Sequence, residues 1–446
     1  MKRSLHYALL VGFMVIVSTT NAQNPLIMNQ YTADPSARVF GGQVYVYPSH
    51  DILATKGHGR IGWFCMQDYH VFSSPNLTDW TDHGVIVSQN KVNWVDSNAY
   101  SMWAPDCIDR NGKFYFYFPS QVKASYGRGF GVGVAISDKP YGPFIPQQEP
   151  IKGVHGIDPN VFIDKDGQAY LYWAQGNIFA AKLKDNMLEL ASEPKILGDL
   201  PDKGLKEGPY LFERKGIYYL TYPHVANKIE RLEYAMSKNP LGPFTFGGVI
   251  MDESASGCWT NHQSIIEFKN QWLLFYHNDD LSPNFDKARS IRADSLFFNE
   301  DGTIRKVIPT LRGAGVTRAN KQIQIDRYSD ASKQGVTVDY VDTANRMKGW
   351  KATFDLKGAW IRYNAVDFGK KTSKSVEVMA TSADGGAVEI RLGKIDGPII
   401  GTAKIQKSGD WQLTKSNLSK TTVGKHDLFI ILKGSNSAAI DWIRFE

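Results

Sequence analysis

Apolar and polar residues alternate with period two along most of the chain, and the alternation comes in a repeated form. In DPNVFIDKDGQAYLYW, from Asp158 to Trp173, a polar turn leads into alternating apolar residues, a bend at Gly167 and an aromatic-rich run. The form recurs as DPSARVFGGQVYVYPS from Asp34, PDCIDRNGKFYFYFPS from Pro105, EGPYLFERKGIYYLTY from Glu207 and NHQSIIEFKNQWLLFYH from Asn261, with bends at Gly42, Gly112, Gly216 and Asn270. Each copy predicts a strand, a tight turn and a second strand. The copies lie roughly fifty to seventy residues apart, a spacing typical of arrays and propellers. A four-stranded blade needs about forty to fifty residues. Each copy therefore supplies the inner hairpin of one blade, and five blades close a ring without exposed edges.

The segments between the hairpins fit outer strands. HVFSSPNLTDWTDHG from His70 alternates, and VAISDKPYGPF from Val134 matches YAMSKNPLGPF from Tyr234 almost residue for residue. The fifth blade ends with SIRADSLFFNEDGTI, before Pro309, and Leu311 to Gly315 reads as a linker. From about Gln322 to Glu446 shorter runs such as AWIRYNAVDFG, SVEVMAT, AVEIRLG, HDLFIILKG and AIDWIRFE alternate between Gly, Asn, Asp and Ser turns. That length and pattern suit a two-sheet jelly-roll sandwich. The expected fold is all-β, a five-bladed β-propeller over 23–312 followed by a β-sandwich over 320–446.

Residues 1–22 depart from this pattern. Lys2 and Arg3 precede an apolar run from Ala8 to Val17 that is too short to span a bilayer, and Thr20-Asn21-Ala22 suits a signal cleavage site. This predicts a secreted or periplasmic protein with no membrane attachment once the signal is removed. Three cysteines in 446 residues, Cys65, Cys107 and Cys258, exclude a disulfide framework. Cys65 and Cys107 lie in apolar runs and read as small buried hydrophobes. The formal charge of +6 includes the signal, and no Lys/Arg run is interleaved with aromatics, so nucleic-acid binding is not supported.

The ring brings the opening residue of each repeat to the mouth of one channel. Three copies place a carboxylate there: Asp34, Asp158 and Glu207. Like charges gathered in one place push at least one pKa upward, as an acid catalyst at neutral pH requires. Glycosidic hydrolysis uses one protonated carboxyl for the leaving oxygen and one carboxylate that activates water or attacks directly. A third can tune the acid. Taken singly, each of these residues is an ordinary turn opener, since Asp before Pro and Glu before Gly-Pro are common there. Their shared phase in the repeat sets them apart.

The set ADP (Ala33–Pro35), WAPD (Trp103–Asp106), IDPN (Ile157–Asn160), EGPY (Glu207–Tyr210), NHQS (Asn261–Ser264) and RSIRADSLFFNEDGTI resembles glycoside hydrolase family 43. Members of that family are five-bladed propellers that cleave plant cell-wall glycans with inversion. The resemblance implies that Asp34 is the general base, Glu207 the general acid and Asp158 the residue that raises and steers the acid. It further implies that Trp103 forms part of the sugar pocket and that Arg289 reaches the substrate or Asp158, with Arg292 a competing choice. His262 would point into the channel, where family members often hold a water or a calcium ion. Read by itself, a lone His in an apolar hairpin is a core residue and a poor calcium ligand. The C-terminal region resembles carbohydrate-binding module family 6, with Trp360, Trp411 and IDWIRF in order. Where that family opens with two acids that bind calcium, this chain has Gln324 and Asp326, to be joined by Asp441. Trp360 and Trp411 sit in strand-like patterns and are expected in the core.

These readings lead to an exo-acting glycosidase acting on a plant cell-wall polysaccharide or oligosaccharide. α-L-Arabinofuranosidase is the first expectation, β-xylosidase the second and endo-acting xylanase or arabinanase the third. The rival from another class is a sugar-binding propeller without catalysis. The chemistry calls for no cofactor, calcium would be structural, and a monomer is expected. Two loops, Gly57 to Phe64 and Lys91 to Tyr100, are candidates to close the channel mouth.

Overall fold

Each of the five repeats folds as the hairpin its alternation predicts. Ala33–Phe40 pairs with Gln43–Ser49, Asp106–Arg110 with Lys113–Gln121, Ile157–Ile163 with Ala169–Gln175, Tyr210–Arg214 with Ile217–Val225, and Ser264–Phe268 with Gln271–Asn278. The turns follow from the residues at their tips. Lys269 and Asn270, for example, have φ of 51° and 62°, the left-handed pair that matches the twist of a two-residue hairpin. This computed structural model describes residues 24–201 and 203–446, so the expected signal segment 1–22 lies outside the described residues. No helix among the described residues is long and apolar enough to cross a membrane.

Four of the hairpins gain two outer strands and become four-stranded antiparallel sheets. In the first blade these are Asp68–Ser74 and Thr81–Ser88. The fifth sheet has three strands, ending with Ser290–Leu296. Its outer side is completed from the other end of the chain: Leu26 N–H donates to Ile291 O at 2.9 Å and Thr32 N–H to Arg289 O at 2.9 Å. The ring is thus closed by residues far apart in sequence, which local patterning does not reveal.

The segment Leu311 to Gly315, expected as a loose linker, is packed. Ala314 is fully buried in the cluster of Ala37, Phe275 and Ile291, and its N–H donates to Ala293 O at 3.0 Å. Its small residues allow that close approach. Beyond it, two sheets face each other. One has the order Val336–Tyr340, Trp350–Phe354, Ala438–Phe445, Ser375–Ser382, Ser408–Asn417, with Ile323–Gln324 beside Ala438–Phe445. The other runs Asp330–Ala331, Trp360–Asp367, Lys425–Leu432, Gly386–Leu392, Ile399–Ile405. The core between them is built from Val, Ile, Leu, Ala, Phe and Tyr. Trp360 and Trp411, expected there, are only half-buried. The alternation that turns Ile361 and Tyr363 inward leaves Trp360 facing out against Phe429, and Trp411 lies on an edge strand with no fully buried residue.

The sandwich rests on the propeller. Tyr340 Oη donates to Asp280 O at 2.6 Å, and Arg318 pairs with Asp79 at 3.1 Å.

Candidate active site

The Asp-Pro dipeptides explain how two of the acids reach the channel. Pairing in the first repeat slips between Ala33 and Ser36, and in the third between Ile157 and Asn160. Proline has no N–H for the ladder and is tolerated at such bulges, which bend the strand and re-aim a side chain. Asp34 and Asp158 each take a left-handed backbone, with φ of 46° and 57°. Strain of this kind collects at functional sites. Asp34, Asp158 and Glu207 all line one cavity of about 210 Å³, together with Trp63, Phe64, Trp103, Trp259, His262 and Arg289. Of the two loops considered for its mouth, Gly57 to Phe64 contributes Phe64 and its neighbour Trp63. Lys91 to Tyr100 instead sends Trp94 and Val95 into the blade core.

Asp34 is held from several sides. Arg289 Nη1 and Nη2 lie 2.8 and 3.2 Å from its two oxygens, and Ser49 Oγ donates to Oδ2 at 2.6 Å. Its backbone N–H donates to His277 Nδ1 at 3.0 Å, which leaves the His277 proton on Nε2, facing Thr260 O at 3.1 Å. Burial alone would raise the Asp34 pKa, but Arg289, then His277 and His262, bring it down to about 2. Asp34 is therefore a carboxylate under all ordinary conditions. Burial and then Arg289 depress His277 to about 3, so it is neutral. His262 is likewise lowered, by burial first, and its Nδ1 lies 3.9 Å from Asp34 Oδ1.

Of the two arginines considered, Arg289 lines the cavity, where it was expected to reach the substrate or Asp158, and its hydrogen-bonded carboxylates are Asp34 and Asp51. It clasps Asp34 and also Asp51, whose oxygens take Nε at 2.9 Å and Nη2 at 3.0 Å. Asp51 follows the first hairpin directly, and its carboxylate also accepts the backbone N–H of Arg289 at 2.8 Å. Arg292 points elsewhere, to both oxygens of Asp280 and to Thr310 O.

The remaining carboxyls are pushed the other way. Burial, then the Glu207 and Asp34 charges, raise Asp158 well above its ordinary value. Glu207 is raised by burial and by Asp34, against a hydrogen bond from Glu230 that lowers it. Asp158 steers the acid through the backbone: its Oδ2 accepts the N–H of Gly208, next to Glu207, at 2.9 Å. The repulsion between Asp158 and Glu207 is mutual, so ionising either carboxyl makes the other hold its proton more tightly. Glu230, not singled out by the repeat, is fully buried and accepts Asn261 N–H at 2.6 Å. Burial and then Glu207 raise it well above a normal carboxyl, so Glu207 and Glu230 form a buried pair that retains a proton. Its only sequence signal is a carboxylate on the apolar phase of an outer strand, ERLEYAMS.

A fourth acid at the repeat phase, Asp106, is spent on structure. It accepts from Arg38, Ser36 Oγ, Asn160 Nδ2 and Val161 N–H, binding three blades around the axis. All three cysteines are free and buried.

Two candidate calcium sites differ in their donors. His262 offers one nitrogen, and the oxygens of neighbouring Asp34 are already paired with Arg289, a poor donor set for an oxygen-seeking ion. In the sandwich, Asp326 is buried, with Arg327 Nε 3.5 Å away as its charge partner. Burial pushes Asp326 up to about 6, and burial with the Asp326 charge pushes Asp441 up to about 6. A buried carboxylate beside a second one offers the oxygen donors that a hard cation takes. Gln324 brings no charge to the site; its backbone carbonyl accepts Tyr363 Oη at 3.1 Å, which leaves the side-chain amide oxygen as the donor it could offer.

Residues 22–304 match the family model for glycosyl hydrolases family 43, and residues 329–446 match carbohydrate binding module (family 6). The chain belongs to family 43. It is a glycoside hydrolase whose propeller carries a family 6 sandwich. Among family 43 relatives, xylosidase/arabinosidase 43A of Humicola insolens is 37% identical over 63% of this chain and 98% of its own length. An arabinoxylan arabinofuranohydrolase of Bacillus subtilis (strain 168) is 28% identical over 93% of this chain and 90% of its own. A family 43 β-xylosidase/α-arabinofuranosidase from a compost microbial metagenome, solved with xylotriose in a calcium-free form, has a TM-score of 0.58 at 36% identity, covering 65% of this chain and 98% of that one. Chemistry in the family requires no cofactor.

Proposed function

We propose that the protein is a secreted, inverting exo-glycosidase that removes terminal α-L-arabinofuranosyl residues from arabinoxylan or a related plant cell-wall polysaccharide. The observation that carries this reading is the joint lining of one small cavity by an ionised Asp34 and a raised Glu207. At about 210 Å³ it is smaller than sites for drug-sized ligands, which run from about 300 Å³ upward, and suits a single sugar ring. Glu207 and Trp103 also border a second, more open groove of about 460 Å³, where the departing chain would lie. In the reaction Glu207 gives its proton to the glycosidic oxygen. Asp34 takes a proton from a water that attacks the anomeric carbon from the other face, so the configuration inverts. Trp103 packs against the sugar, and Asp158 holds the Glu207 backbone in place.

Arabinofuranosidase is preferred because two of the relatives spanning both domains, each over 93% of this chain, are arabinoxylan arabinofuranohydrolases; a third, over 94%, is a xylosidase/arabinosidase. β-Xylosidase is the second reading, favoured by the similarity of the propeller to a β-xylosidase of Xylanibacter ruminicola. The sandwich braces the propeller through Tyr340 and Arg318 and holds a structural calcium at Asp326 and Asp441, and the protein acts as a monomer. Assay of the purified chain on aryl α-L-arabinofuranoside and aryl β-xyloside, then on arabinoxylan, tests the choice. Faster turnover of the xyloside, with free xylose as product, would reverse it. Proton NMR of the first product tests inversion.

A further inference from the structure

Outside the catalytic cavity, one cluster combines metal-binding side chains with a preset orientation. Ser49 pairs with Tyr69 in the first blade, so His50 falls opposite Asp68, with His70 two residues along on the same face. One ligating atom from each of His50, Asp68 and His70 lies within 4.8 Å of the others. His50 Nδ1 is 2.6 Å from Asp68 Oδ1, and the two imidazole rings meet edge to face at 4.9 Å. None of the three lines the sugar cavity.

The orientation of His70 comes from a fourth residue. Its Nδ1 donates to Asp82, 3.0 and 3.2 Å from the two carboxylate oxygens. That hydrogen bond leaves the Nε2 lone pair free, the arrangement in which a carboxylate fixes the tautomer and increases the basicity of a metal-binding imidazole. Asp82 is itself fixed by Gln30 Nε2 at 3.0 Å and Gly84 N–H at 2.7 Å. The side chains of His50, Asp68 and His70 are 18%, 9% and 15% exposed. The cluster is enclosed enough to be ordered and open enough for water to complete a coordination sphere.

We propose that His50, Asp68 and His70 bind a divalent transition-metal ion of the zinc class, with Asp82 orienting His70. Two imidazoles and one carboxylate favour zinc, cobalt, nickel or copper over calcium or magnesium, which require mostly oxygen. Ligands about 2.0–2.1 Å from zinc in a tetrahedron stand about 3.3 Å apart. The ion would therefore replace the short His50–Asp68 hydrogen bond with a modest opening of the two strands. His50 is bonded to Asp51, and Asp51 holds Arg289, so the ion would tie down the edge of the frame that carries Asp34 without touching the substrate.

Calorimetric titration of the tag-free, chelator-washed full chain with zinc chloride tests the proposal. One zinc per chain is expected. His50→Gln and His70→Gln should each weaken binding by about ten-fold or more, and Asp82→Asn by about ten-fold, while His262→Gln and Asp326→Asn leave it unchanged. Wild-type protein that takes up no zinc, or a His50→Gln/His70→Gln double variant that binds as the wild type does, overturns the site. Should the variants not fold, cobalt(II) added to the wild-type chain gives an independent reading. Visible d–d bands that zinc displaces support the site, and their absence refutes it.

Discussion

Asp158 Oδ2 accepts the backbone N–H of Gly208 at 2.9 Å, so one acid of the trio positions another through the main chain. Gly208 has φ of 50°, and a side chain there would meet Pro223 at 2.9 Å and His262 at 3.1 Å. Glu207 is thus fixed by a turn that glycine alone fits, whose Gly208 N–H is capped by Asp158 and whose Gly208 O accepts Gln263 Nε2 at 2.9 Å. Asp158→Asn keeps an acceptor for Gly208, whereas Asp158→Ala removes it. The alanine variant should lose more kcat than the asparagine variant, with a total loss of about 10²-fold or more. Equal loss in the two would mean that the hydrogen bond does not position the acid.

Glu207→Gln should reduce turnover of natural glycans by about 10²- to 10⁴-fold and spare aryl glycosides whose leaving group needs no proton. Asp34→Asn should abolish turnover of both, because water activation is lost. Comparing kcat on the two substrate classes separates the roles, and a Glu207→Gln enzyme with full activity on arabinoxylan would discard the acid assignment.

Glu230 lowers the Glu207 pKa by donating a hydrogen bond to it. Glu230→Ala removes that donor, so Glu207 should hold its proton to higher pH and the alkaline limb of kcat/KM should move upward. Glu230→Gln retains a donor and should leave the limb close to that of the wild type. A pH–rate profile of the three proteins decides the matter, and a downward shift in the alanine variant would contradict it.

His277 titrates at about 3 in the folded chain, lowered by burial and then Arg289 from an ordinary 6.5. Between those values the unfolded chain binds a proton that the folded chain does not, so stability falls as pH drops through that window. Asp34 adds to the loss between 3.8 and about 2, because Arg289, His277 and His262 outweigh burial and hold its folded pKa below the unfolded value. His277→Asn retains an acceptor for Asp34 N–H and removes the titration. Its unfolding midpoint should depend less steeply on pH between 6.5 and 3 than that of the wild type, as urea titrations at several pH values would show.

Calcium removal should act on the sandwich. A calcium chelator is expected to lower its thermal midpoint, by the loss of a ligand that binds only the folded state, and Asp326→Asn should remove the response. A midpoint indifferent to chelator in the wild type would argue against calcium at Asp326 and Asp441.

Much of this architecture is written in local pattern. Period-two alternation and tip residues such as Asn270 specify each hairpin, because side-chain direction and turn geometry depend on residues only a few positions apart. The phase of the repeat likewise places Asp34, Asp158 and Glu207 at one axis. Phase alone does not separate them from Asp106, which occupies a similar position and serves as a structural hub. Charge partners decide that, and they come from other blades.

The amino-acid order by itself determined the blades, the sandwich and the residues that could meet, since each depends on contacts within a hairpin. Tertiary structure decided which of them do meet. Arg289 clasps Asp34 and Asp51 from about 240 to 255 residues away, Glu230 acts on the proton affinity of Glu207 from an outer strand, and residues 24–32 close the ring against the fifth blade. Proton affinities in the cavity arise from burial and from these long-range charges, which exist only once the ring has formed.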